Sequence, residues 1–100
     1  MIIISGHITF NPAKEADALA IFAPLCATTR AEPGNLSYGF YLDPGEPGRV
    51  QVYEEWETQA ALDTHMASDH MAGFLGALGT IDVSGASLNK HEVSSSSPLM

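Results

Sequence analysis

Two apolar–polar alternations joined by a block that cannot be regular structure fix most of what this chain can become. Leu36, Tyr38, Phe40 and Leu42 alternate with Ser37, Gly39, Tyr41 and Asp43, and Val50, Val52, Glu54 and Trp56 alternate with Gln51, Tyr53 and Glu55. A period of two is the pattern of strands that bury one face. Between them, Asp43-Pro44-Gly45-Glu46-Pro47-Gly48 supplies prolines without N–H groups and conformationally free glycines, so it reads as a hairpin loop.

The flanking segments complete the order. Residues 2–10 are largely β-branched and form another strand, closed by Asn11-Pro12, a cap followed by a proline suited to a first helical turn. From Asn11 to Arg30, Leu19, Phe22, Ala23 and Cys26 recur at three- and four-residue spacing, which predicts a helix with that face buried. Pro24 lacks a backbone donor and predicts a kink or break. Glu32-Pro33-Gly34-Asn35 is a turn by composition. Thr58 is placed to cap a second helix with Leu62, His65, Met66 and Asp69 on one stripe, restarting near Ser68 and running through Met71, Phe74, Leu75 and Leu78 to Gly79. Thr80 to Val93 reads as the last strand, bulged at Gly85. Residues 94–100 read as a disordered polar tail, leaving 1–93 as one domain.

The order β-α-β-β-α-β, under short-connection and right-handed-crossover rules, gives an α+β ferredoxin-like fold: a four-stranded antiparallel sheet with helices on one face. The second sheet face is then bare. On the first strand it carries Ile3, Ser5, His7 and Thr9, too apolar for simple hydration and too polar for a dry core. A second copy packed sheet to sheet would cover it, so a homodimer is expected.

Charge narrows the partners. Asp and Glu number 12 against 4 Lys and Arg, a net −8 that repels nucleic acid and anionic membranes while a neutral aromatic ligand is indifferent to it. The single Cys26 cannot form an internal disulfide, and neither a signal-type leader nor an apolar run of roughly 20 residues is visible, so a cytoplasmic location is expected.

Five side chains stand out as chemistry. Glu54 shares a strand face with Val50, Val52 and Trp56, where lost hydration should raise its pKa, unless Arg49, Arg30 or a backbone donor pairs with it structurally. His65 lies four residues before Asp69, which could fix its tautomer as a general base requires; a satisfied core histidine is the plain alternative. Trp56 and Tyr38 would wall a flat ligand, although a lone tryptophan at a strand end also suits a core plug. His7 could point into a cavity or bond across a dimer. His65 and His70 are five residues apart, which sets them on different helix faces, and no H-E-x-x-H or paired cysteines occur, so no metal site is expected. No phosphate cradle is present either.

The stretch Glu32-Pro33-Gly34-Asn35-Leu36-Ser37-Tyr38, then Glu54-Glu55-Trp56, then Leu62-Asp63-Thr64-His65 resembles the E-x-G-x-x-x-Y, E-x-W and L-x-x-H pattern of the antibiotic biosynthesis monooxygenase family. The likeness runs over roughly residues 2–92. It implies a dimeric α/β barrel and a cofactor-independent monooxygenase acting on a quinol or polycyclic phenol with dioxygen. On that reading His65 is the base, Glu54 a polariser or proton relay, and Trp56 and Tyr38 the clamp. Relatives that degrade haem rely on an asparagine in strand one, and here no Asn precedes Asn11. Isomerase-like relatives and a non-catalytic dimeric binder of quinone-like molecules complete the alternatives.

Overall fold

The hairpin is formed by β2 (Asn35–Leu42) and β3 (Arg49–Trp56), which pair antiparallel around the Pro-Gly loop. The computed structural model describes all 100 residues. Strand β1 (Ile2–Thr9) runs beside β3, and β4 (Gly85–Glu92) beside β1, giving one antiparallel sheet in the order β2-β3-β1-β4. Helix α1 (Glu15–Arg30) follows β1, while α2 (Gln59–Met66) and α3 (Asp69–Ala77) lie between β3 and β4. This is the ferredoxin-like arrangement expected. No helix is long and apolar enough to cross a membrane.

Register decides which side chains meet. Ile2, Ile4 and Ile8 stand opposite Trp56, Glu54 and Val50, so the alternating apolar sets of two strands share one sheet face. Phe22 of α1 fills the space above it, with ring centroids 5.0 Å from Phe40 and 6.0 Å from Phe10. Val50, Val52 and Trp56 are almost completely buried. At roughly 1.5–3 kcal/mol for each fully buried large apolar side chain, this cluster is what holds helices to sheet.

Several local expectations are corrected. The buried stripe of α1 is Ala18, Phe22, Leu25, Cys26 and Thr29, while Leu19 and Ala23 face outward. The helix continues without a break through Pro24. Both Pro24 and Ala20 are exposed, so the carbonyl that loses its donor can bond to water instead. Leu36 does not join Tyr38 in the core: the β2–β3 register slips between Asn35 and Ser37, and the extra residue turns its side chain to solvent.

The last strand starts later than the alternation suggested. Residues Leu78–Ile81 form a 3-10 turn that drives Ile81 into complete burial, and the chain reverses at Asp82, which adopts a left-handed φ of 53°. Asn11 Nδ2 donates to Asp82 and Lys14 pairs with it, fixing that corner. From Gly85 the β1–β4 register is regular, with no bulge. All eight residues of β4 are exposed, because the strand lies beyond the helices at the sheet edge. Residues 94–100 are exposed and carry no helix or strand.

A candidate active site between the helices and the sheet

The turn after α1 sets one wall of the site. Gly34 adopts φ 85°, a conformation side chains resist, and a Cβ there would lie 2.6 Å from that of Ala61 in α2. Glycine therefore lets α2 settle onto the turn, and Glu57 N–H donates to the Gly34 carbonyl at 2.8 Å. Thr58 caps α2 as expected, its hydroxyl accepting from Ala61 N–H. The consequence is that His65 descends onto Glu32.

The imidazole is held on three sides. Its Nδ1 lies 2.6 Å from Glu32 Oε2, its ring centroid is 4.8 Å from that of Trp56, and Tyr38 meets it edge-on at 5.2 Å. Only 1% of His65 is exposed. Burial lowers its pKa, opposed by the hydrogen bond and charge of Glu32, so the ring is neutral near pH 7. With Nδ1 donating to the carboxylate, Nε2 is the nitrogen left with a free lone pair.

Glu32, not Asp69, orients this ring. The helical stripe that paired His65 with Asp69 does not exist, because α2 ends at Met66 and Ser68 caps a new helix. Asp69 lies exposed in the first turn of α3, where its charge suits the helix N-terminus. The same interruption brings His70 within 3.2 Å of Glu32 Oε2 and so overturns the argument that His65 and His70 face apart. Sequence reasoning missed Glu32 and His70 as site residues. The visible signal was the serine at 68, a helix-starting residue between the two histidines.

Glu54 is buried and takes a hydrogen bond from Trp56 Nε1 at 2.9 Å. Neither arginine offered as a partner reaches it: Arg30 Nε donates to the Tyr38 carbonyl, and Arg49 pairs with Asp43 and Glu46. Burial raises its pKa, the Trp56 hydrogen bond lowers it, and the Glu32 charge raises it. Burial likewise pushes the Tyr38 phenol far above its ordinary value, so it stays protonated.

Between α2, α3 and the sheet lies a cavity of about 370 Å³. His65, Glu54 and Tyr38 reach it among otherwise apolar walls that include Ile4, Phe40, Val52, Leu62, Met71 and Phe74. Exposed Met66, Leu75 and Leu88 form an apolar rim toward β4. Trp56 is not at the wall. It is fully buried behind it, braced against His65 and Glu54. His7 pairs with Gln51 and Ser87, and since its neighbour Ile8 lines the cavity, strand alternation puts His7 on the opposite sheet face. The structure thus brings together three of the five candidate residues at the cavity, sets one behind it and one away from it.

Comparison with known proteins agrees with this architecture. The antibiotic biosynthesis monooxygenase family profile matches residues 1–77. A Bacillus subtilis protein named "Putative monooxygenase YcnE" is 31% identical over 75 residues, which is 75% of this chain and 79% of that protein. "Uncharacterized protein sll1783" of Synechocystis is 32% identical over 74% of this chain, which spans 50% of that longer relative. Among solved structures, a "putative antibiotic biosynthesis monooxygenase" from Deinococcus radiodurans superposes with TM-score 0.93 at 24% identity, covering 100% of this chain and 99% of that one. Rv0793 from Mycobacterium tuberculosis gives 0.85 at 20% identity, covering 97% and 98%. With the fold, the profile match and a relative above 30% identity all concordant, this chain belongs to the antibiotic biosynthesis monooxygenase family.

Proposed function

We propose that the protein is a cofactor-independent monooxygenase that oxidises a quinol or polycyclic phenol with dioxygen. Family membership and a relative named as a monooxygenase support the general role. The observation that carries the finer reading is a neutral, buried imidazole, tied at Nδ1 to a carboxylate and facing an apolar cavity large enough for fused rings.

The chemistry needs little from the protein. Nε2 of His65 accepts the phenolic proton while Nδ1–H stays on Glu32, which stabilises the imidazolium that forms. Apolar walls strip water from the phenolate and make it a better reductant. The phenolate passes one electron to dioxygen, the radical pair closes a C–O bond para to the hydroxyl, and the peroxide loses water. For a phenol with a para C–H the balance is one phenol plus one dioxygen, giving one para-quinone plus one water. For a quinol, whose para carbon already bears oxygen, the C–O bond closes at the ring C–H beside an oxygen-bearing carbon, and one quinol plus one dioxygen gives one hydroxyquinone plus one water. Glu54, with its raised pKa, is a proton relay for the peroxide oxygen, and Tyr38 is the aromatic wall. Trp56 serves by holding the imidazole rather than by stacking on substrate. A second copy packed against the exposed sheet face, with its mixed Ile3, Ser5, His7 and Thr9 surface, completes the dimer in this reading.

An oxygen electrode tests the proposal. Purified protein with a series of naphthols and naphthoquinols should consume one dioxygen per quinone formed from a naphthol or hydroxyquinone formed from a quinol, with no hydrogen peroxide released, and His65→Ala should stop it. Tight quinone binding without oxygen consumption across the series would make the protein a binder rather than an oxygenase. A Soret band on adding haem, with its decay under reductant, would move the assignment to haem chemistry.

A further inference from the structure

We propose that Glu32, His65 and His70 form a binding site for a zinc-class divalent cation. Each residue comes from a different element: the turn after α1, helix α2 and helix α3. One ligand-type atom from each lies within 4.8 Å of the other two. Both imidazoles converge on a single carboxylate oxygen, Nδ1 of His65 at 2.6 Å and Nε2 of His70 at 3.2 Å.

A second observation points to a ligand. Nε2 of His70 is buried and, although close to Glu32, makes no hydrogen bond of acceptable geometry. A buried nitrogen without a partner is costly, by about 1–3 kcal/mol, and is uncommon in folded proteins. A cation seated among the three atoms satisfies this nitrogen and the carboxylate together. No Lys or Arg pairs with Glu32, whose only basic contacts are the two histidines, so its charge is left for such an ion.

The donor set selects the metal. Two imidazoles and one carboxylate suit zinc and its first-row neighbours, while magnesium and calcium require mostly oxygen. With metal–ligand bonds of about 2.1 Å, tetrahedral ligands lie about 3.4 Å apart, so on binding the 2.6 Å Nδ1–Oε2 contact opens and the widest pair, now within 4.8 Å, closes by at most about 1.4 Å. His70 also lines a groove of about 270 Å³ between α1 and α3, with Pro24, Thr28 and Gly73, the side from which an ion and a fourth, water ligand would enter. The His65 ring is already immobilised by Trp56 and Tyr38, so little order has to be imposed on binding.

The site is separate from the cavity but shares one ring with it. On the reading given under Proposed function, a cation on Nδ1 moves the ring proton to Nε2, and the loaded imidazole cannot act as base; the binding test below does not depend on that reading.

The test is titration of chelator-stripped protein with Co2+, a spectroscopic substitute for zinc, and with Zn2+ in competition with a chromophoric chelator. One cation per chain should bind, with the intense visible bands of four-coordinate Co2+. His70→Ala and Glu32→Gln should weaken zinc binding at least 100-fold, and His91→Ala, a change on exposed β4, should not affect it. His70→Gln, which keeps the side-chain bulk, decides the matter if His70→Ala fails to fold. Absence of binding, equal affinity in the His70 variants, or loss in His91→Ala would overturn the site and leave a hydrogen-bonded cluster only.

Discussion

Nδ1 of His65 sits 2.6 Å from Oε2 of Glu32, a residue 33 positions earlier in the chain. This contact ties the end of α2 to the turn before β2 and leaves Nε2 as the imidazole nitrogen not engaged by Glu32. Replacing His65 with Ala should reduce oxygen uptake on an accepted quinol by about 10²–10⁴-fold, the usual contribution of a general base. Circular dichroism should show the fold retained. Undiminished uptake by a folded variant would remove His65 from the mechanism.

Glu32→Gln keeps the shape of the contact and removes its charge. The carboxylate raises the His65 pKa against the lowering effect of burial, so the variant's imidazole should titrate lower still. The acid limb of the rate–pH profile, where the base becomes protonated, then moves to lower pH. The plateau rate should fall by about 10²-fold, since ring orientation is loosened as well. Imidazole NMR shifts followed against pH check the first part, and an upward movement of the His65 titration would refute it.

Glu54→Gln tests the buried acid through stability. The folded-state pKa of Glu54 lies above its ordinary value of 4.5, chiefly through burial. The folded protein therefore resists ionisation, and the wild type loses stability as pH rises from 4.5 through the folded pKa. Glutamine still accepts from Trp56 Nε1 and never ionises. The variant should melt several degrees above wild type at pH 7–8, with the gap closing near pH 4; a constant gap would mean that charge is not its cause.

Gly6→Ala tests the edge of the sheet. A Cβ on Gly6 would collide with backbone atoms of Ser87 and Leu88, which no rotamer change relieves. The variant should lose about 1–3 kcal/mol or more, with hydrogen exchange rising first in β4. Unchanged β4 protection would show that the strand tolerates displacement.

Zinc added to active enzyme should lower oxygen uptake, and a chelator should restore it, if the cation occupies the nitrogen that Glu32 now holds. A rise in rate with zinc would contradict a metal-free base. Inhibition that survives His70→Ala, scaled to that variant's own rate, would place the ion elsewhere.

Much of the architecture was legible because its determinants are local. The alternation through β2 and β3, the Pro-Gly block, the Thr58 cap and the restart at Ser68 each act over a few residues, where steric and hydrogen-bonding preferences are strong. The shared face of Val50, Val52, Glu54 and Trp56 follows from strand geometry alone and is present as read. Leu36 and Ile81 escaped because a one-residue slip and a 3-10 turn are decided by how the core fills.

The amino-acid order by itself determined the succession of strands and helices, and with it the sheet and the family motifs. Tertiary structure alone decided that His65 meets Glu32 rather than Asp69, that His70 joins them, and that Trp56 braces the ring from behind. The reason is physical: local pattern sets which face of an element is buried, whereas the partner of a buried polar group is whichever distant segment packing delivers within hydrogen-bond reach.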